Sequence, residues 1–169
     1  FEGSRWSQGL VPFDSIDLTE KDRGVKIDIT RKTRLDWDAL REKVKGGIRN
    51  ATLMAIAPTA SIGLVAGTTP GLDPQFSQIF SRSTSSGKFL EVNRNLVDAL
   101  KARGLWESVR EDILRSQGDI QDLPQIPADI KEVFKTSFQL DPKSFLEVAG
   151  RAQKWIDQAI SRNMYLETR

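Results

Sequence analysis

The stretch from Arg49 to Pro74, RNATLMAIAPTASIGLVAGTTPGLDP, constrains the fold more than any other. It begins with an apolar run, Thr52-Leu53-Met54-Ala55-Ile56, of the length of a buried strand. Pro58 breaks the run, because its ring fixes φ and removes an N–H donor. Thr59 then stands where a helix N-cap would stand. Ala60-Ser61-Ile62-Gly63-Leu64-Val65-Ala66 supply a short helix, which Gly67 stops. The stretch reads as strand, tight turn and short helix.

Such a turn has a chemical consequence. The first N–H groups of a helix have no intrahelical partner, and the helix dipole places partial positive charge there. Thr59 and Ser61 add hydroxyls, and the small side chains let a ligand approach the backbone. The turn can cradle a phosphate without Lys or Arg. Taken alone, the short motif suits an ordinary capped turn that binds nothing better than a phosphate site, since many such turns bind nothing.

Composition narrows the chemistry. The chain has 169 residues, enough for one domain with a core. Its 38% hydrophobic and 28% charged residues are ordinary for a soluble globular protein. A net charge of +2 gives no argument for nucleic acid or membrane binding. No apolar run is long enough to span a bilayer. Phe1-Glu2-Gly3-Ser4 shows neither an initiator Met nor signal-peptide regions, so the chain is expected to begin inside a longer one. There is no Cys and no His, which removes disulfides, thiolate nucleophiles, imidazole bases and the usual zinc and iron ligands. A metal would need oxygen ligands, and no calcium-loop spacing occurs. Absence of Cys suits a cytoplasmic protein.

Elsewhere the pattern is mainly helical. Residues 1–34 read as loop or short strand, with Arg31-Lys32-Thr33-Arg34 as a solvated basic face. Asp36 caps a helix to about Lys45 that carries Trp37, Leu40 and Val44. Gln75 to Arg82 reads as a second strand and Ser81 to Gly87 as a polar loop. From Lys88 a helix is expected on the stripe Phe89, Val92, Leu96 and Leu100, closed by Gly104. A further helix runs from about Glu107 to Gln117, and a short one holds Ile130, Val133 and Phe134. The last helix takes Asp141 as cap and Pro142 as first residue. Its stripe, Phe145, Val148, Ala149, Ala152, Trp155, Ile156 and Ala159, is core rather than a cofactor site. Asn163 to Leu166 return to strand. The expected organisation is one partial domain over residues 1–169: a strand and loop part, 1–87, with the phosphate turn, and a mainly helical part, 88–169.

Arg49 through Ser61, with Gly67 and Gly71-Leu72-Asp73-Pro74, resembles the substrate-diphosphate region of the ribonucleotide reductase catalytic (large) subunit. Phe1-Glu2-Gly3-Ser4 with Trp6 and Gly9, Phe134-Lys135-Thr136-Ser137, and Trp155-Ile156-Asp157-Gln158 with Ser161 and Asn163 resemble three other tracts of that family, in the same order. Leu53-Met54-Ala55-Ile56 leans towards the class I, diphosphate-using branch.

This resemblance implies an α/β, helix-rich fold, the C-terminal part of a ten-stranded α/β barrel. It implies a share in reducing ribonucleoside diphosphates to deoxyribonucleotides. The backbone N–H groups of Thr59, Ala60, Ser61 and Ile62 match the diphosphate-holding positions, and Pro58 borders ribose and base. Ile62 stands where some members have Thr, so there only the backbone N–H can serve. The family's thiyl-radical Cys, its reducing Cys pair and its adjacent Tyr pair are missing, Tyr165 being the sole Tyr. The chain is therefore expected to carry no catalytic residue, to bind no cofactor or metal, and to be inactive alone. The intact enzyme would need the rest of the large subunit, a radical-generating small subunit and a thiol reductant. Ser161 and Asn163 are expected to serve barrel packing. The competing reading is a non-catalytic interaction or assembly module that keeps the scaffold but binds no nucleotide. A general phosphate-binding protein is a third.

Overall fold

The computed structural model describes residues 1–166. They form two compact units: one of Phe1–Ala57 with Lys143–Arg162, the other of Pro58–Pro142 with the residues from Asn163 onward.

The first unit opens with a 3-10 turn, Trp6–Gln8, and helix α1, Asp14–Arg23. The sequence reading of 1–34 as loop or strand missed α1, because it lacks an apolar stripe. Its stabilisers are polar: Asp14 and Asp17 lie in the first turn, Lys21 and Arg23 in the last, and left-handed Gly24 ends it. Helix α2, Trp37–Lys45, starts as expected, with the Asp36 carboxylate accepting the Ala39 N–H at 2.9 Å. Trp6, Val11 and Val44 form a small core, with Phe1, Phe13, Trp37 and Ile48 packed against it. Trp37 stacks on Trp155 with ring centres 5.7 Å apart, and Phe13 meets Trp37 edge-on at 5.3 Å. Helix α7, Pro142–Gln153, has Pro142 first as expected but stops before Trp155, Ile156 and Ala159. Buried Lys154 leaves the helix and donates to the Thr30 carbonyl at 2.8 Å.

The expected strand over Thr52–Ile56 is reduced to one parallel bridge, Ile56 with Ile160. Two amides extend the pairing: Gln158 N–H donates to the Met54 carbonyl at 3.2 Å, and Ser161 N–H to that of Ile56 at 2.9 Å. The partner stretch is 158–161, and residues 163–166, expected as a strand, form none.

The second unit holds helix α3, Ala60–Ala66, and strands β1, Ile79–Thr84, and β2, Gly87–Val92. The strands form an antiparallel hairpin, Ile79 opposite Val92 and Thr84 opposite Gly87. The sequence reading placed a polar loop over 81–87 and a helix from Lys88. The Phe89 and Val92 spacing fits a helix, but cross-strand pairing takes these residues and the helix begins later. Helices α4, Arg94–Ala102, α5, Trp106–Arg115, and α6, Ala128–Val133, follow. Asn93 caps α4 by accepting the Asn95 N–H at 3.0 Å. Leu96 and Leu100 of α4 pack with Val109, Ile113, Ile120, Ile126, Ile130 and Ile79 in the main apolar core. Gln78, buried beside it, donates to the Phe134 carbonyl at 2.8 Å and accepts from Asn93 Nδ2 at 2.7 Å.

Candidate functional site

The turn Pro58–Ile62 lies in the second unit. Pro58 and Thr59 are half-buried, whereas Ala60, Ser61 and Ile62 are exposed. Thr59 has φ 30° and ψ 41°, a left-handed conformation that strains a β-branched residue. It occupies the N-cap position of α3 as expected, but its side chain makes no capping hydrogen bond. The hydroxyl instead accepts the Gly71 N–H at 2.8 Å, so it ties the turn to the tract that closes it. The Thr59 carbonyl takes the Gly63 N–H at 2.7 Å and starts the helix. Left-handed Gly67 ends α3 as expected, with its N–H on the Gly63 and Leu64 carbonyls.

Gly63 lets α3 lie close to the chain that follows it. A Cβ there would stand 3.1 Å from the Thr69 carbonyl oxygen and 3.4 Å from Pro70 Cα. Asp73, 2% exposed, accepts the Asn163 N–H at 3.0 Å. Ser137, fully buried, donates its N–H to the Gln75 carbonyl at 2.8 Å, and its hydroxyl lies 3.0 Å from that of Pro74. The tracts at 71–74 and 134–137, and Asn163, are thus brought together as scaffold.

The amides of Thr59, Ala60, Ser61 and Ile62 meet no acceptor among the described residues. They sit in the first turn of α3, where the backbone cannot satisfy them internally. The turn is open surface. The polar cavity of about 440 Å³ beside α3 is lined by its other end, Leu64–Thr68, with Asn93, Arg94, Asn95 and Asp98 among its other walls. What the turn offers an oxyanion is therefore four amide donors and the Ser61 hydroxyl.

The sequence reading did not foresee the part taken by Asp157 in the first unit. Its carboxylate accepts three N–H groups: the Trp6 indole at 3.0 Å, Leu53 at 2.7 Å and Met54 at 2.8 Å. Burial pushes its pKa up, but the Met54 amide, the Trp6 indole and the Leu53 amide together hold it below the ordinary carboxylate value. The signal available in sequence was a carboxylate between the apolar pairs Trp155-Ile156 and Ala159-Ile160. Ser161 joins the same pairing through its N–H to Ile56.

The model for the ribonucleotide reductase barrel domain matches residues 1–169. The chain belongs to the ribonucleotide reductase family. It is 37% identical to the ribonucleoside-diphosphate reductase subunit alpha of Chlamydia muridarum, over 98% of this chain and 16% of the relative. It is 36% identical to the large subunit of Caenorhabditis elegans, over 98% of this chain and 20% of the relative. Among solved structures, the Actinobacillus ureae class Id ribonucleotide reductase alpha subunit matches with a TM-score of 0.60 and 29% identity, over 95% of this chain and 30% of that one. The chain thus spans about a fifth or less of the length of these curated relatives. The helix-rich architecture with a small sheet is that of a partial reductase barrel, as the sequence implied. Among the described residues no group of three or more His, Cys, Asp or Glu could hold a metal ion, and no helix is long and apolar enough to cross a membrane.

Proposed function

We propose that this chain is part of a cytoplasmic ribonucleoside-diphosphate reductase large subunit, and that the turn Pro58–Ile62 holds the diphosphate of the substrate. The observation that carries the reading is the set of four amides, Thr59, Ala60, Ser61 and Ile62, which meet no acceptor among the described residues in a chain of this family. Each amide that donates to a charged oxygen contributes about 1.5–3 kcal/mol. The role is orientation: a substrate held by its phosphates presents its ribose at a fixed place. The Ser61 hydroxyl adds a donor, Ile62 contributes its N–H alone, and Pro58 borders the nucleoside. Both compact units belong to one barrel domain in this reading.

The chain has no Cys, so the radical site and the reducing pair lie on residues outside it. In this reading the radical comes from a partner subunit and the electrons from a thiol reductant.

The test is steady-state kinetics in the full-length protein that carries this segment. Ser61→Ala removes one hydroxyl and should raise KM for the nucleoside diphosphate modestly. Ser61→Pro also removes an N–H at a place where the first helical turn tolerates proline, and should raise it more. A folded Ser61→Pro enzyme with unchanged KM and kcat would refute the phosphate role.

A second reading, an interaction or assembly module that binds no nucleotide, has its own observation. Ile62 and Val65 of α3 are 69% and 86% exposed. A pyrophosphate titration separates the two. Turn-dependent binding supports the first; tight self-association without binding supports the second.

A further inference from the structure

The Asp157 carboxylate of the first unit accepts three N–H groups, and nothing in the diphosphate reading uses it. Its Oδ2 takes both the Trp6 indole N–H and the Leu53 N–H, while Oδ1 takes the Met54 N–H. Leu53 and Met54 are consecutive, so the two oxygens bracket one peptide unit and leave it a single alignment. Immediately beyond Asp157, Gln158 N–H donates to the Met54 carbonyl, and two residues past Met54, Ile56 forms the parallel bridge with Ile160. The pairing between 53–56 and 158–161 is short, with two backbone bonds and one bridge. Short pairings with exposed side chains specify their register weakly, and Leu53 and Met54 are 57% and 56% exposed. The apolar contacts that usually choose a register are therefore scarce at these two residues.

We propose that Asp157 is the register lock of this pairing and a positioning residue for the substrate turn. The carboxylate fixes which residue of 53–56 faces 158–161. From Ile56 the chain runs through Ala57 directly into Pro58, so the register sets the point at which the backbone enters the turn. A slip of one residue would shift the entry by about 3.3 Å, more than the length of a hydrogen bond to phosphate. The Trp6 indole supports the lock from the other side. Trp6 is 5% exposed and anchored in the core with Val11 and Val44, so the carboxylate is held on a rigid support. Asparagine cannot reproduce the arrangement. Its single oxygen cannot reach all three donors, and its NH₂ would face an amide N–H.

The positioning part rests on the diphosphate reading of the turn; the lock does not. The test therefore has two arms, both in the full-length protein. In the first, backbone amide exchange is followed in wild type, Asp157→Asn and Trp6→Phe. Asp157→Asn should speed exchange at 53, 54, 158 and 161 by about tenfold or more, with the helices around Leu100 and Ile113 unchanged. Trp6→Phe, which spares both amide bonds, should have a smaller effect at the same sites. Unchanged protection in Asp157→Asn overturns the lock. If that variant does not fold, equal exchange in Trp6→Phe and wild type overturns it. In the second arm, Asp157→Asn should raise KM for the nucleoside diphosphate by several-fold, with a smaller change in kcat. Faster exchange with unchanged KM, while Ser61→Pro raises KM, overturns the positioning role and leaves the reading of the turn intact. Unchanged KM in both variants overturns that reading, and the positioning role with it.

Discussion

The Thr59 hydroxyl accepts the backbone N–H of Gly71 at 2.8 Å, twelve residues further along the chain. This one bond holds a β-branched residue at φ 30°, where it would not otherwise rest. Thr59→Val keeps the shape and removes the acceptor. It should destabilise the fold by about 1–3 kcal/mol, read from denaturant unfolding, because the Gly71 amide loses its partner. Thr59→Ser keeps the acceptor and should restore most of the loss. Equal stability of the Val variant and wild type would show that the bond contributes nothing.

Gly118 should not tolerate a side chain. Its φ is 88°, and a Cβ would stand 2.6 Å from the Ile79 backbone nitrogen and 2.7 Å from Ser77 Oγ. The first neighbour is backbone at the start of β1 and cannot turn aside. Gly118→Ala should lower stability by about 2 kcal/mol or more, with a matching fall in the thermal midpoint. Gly24→Ala is the control. It shares the left-handed backbone but meets nothing within 4 Å, so it should lose only the strain of that conformation.

Replacing Gln78 by Leu should be costly although the side chains are similar in size. The change orphans the Phe134 carbonyl and the Asn93 amide group in a buried place. A loss of roughly 1–3 kcal/mol is expected for each group left unpaired. Gln78→Glu should also destabilise, because a carboxylate cannot donate to the Phe134 carbonyl. Denaturant midpoints of the two variants check both statements.

Acid should weaken the first unit below about pH 4. Burial raises the pKa of Asp14, but the Arg41 guanidinium at 2.6 Å and the Val11 N–H at 2.8 Å outweigh it and hold the carboxyl below its ordinary 3.8. Asp157 is depressed in the same direction. A depressed carboxylate contributes stability that is present above its unfolded-state value and lost as pH falls through its folded-state value. Unfolding free energy should therefore be level from neutrality to about pH 5 and fall below pH 4. Asp14→Asn should be less stable at pH 7 and flatter below pH 4. A variant whose acid profile parallels that of wild type would rule out this linkage.

The elements that sequence disclosed are those whose signals are local. Asp36 before Trp37, Pro142 at a first helical position and Gly67 after Ala66 each act within a few residues, and each stands where it was expected. The misreadings share a different cause. Phe89 and Val92 have helical spacing, but the strand Ile79–Thr84 claims them, and no local pattern announces that pairing. Helix α1 is held by charges at its ends and by Asp14, which reaches Arg41 of another helix. At the turn, sequence located the bend and the amides, but not the direction of the Thr59 side chain, which depends on Gly71. Asp157 was visible as a residue of a resembling tract, yet its three donors come from near the two ends of Phe1–Ala57.

The first unit is discontinuous, and this imposes an order of events at the ribosome. Phe1–Ala57 emerges before its completing stretch, Lys143–Arg162, which is synthesised only after all of Pro58–Pro142. The Trp6 indole must wait for a carboxylate 151 positions downstream. By then every member of the apolar core between Ile79 and Ile130 has already been made. Closing so long a loop costs little more than closing a moderate one, but it comes late. The stretch Phe1–Ala57 therefore waits through the synthesis of Pro58–Pro142 for the residues that complete it, and that interval is when chaperones would find it.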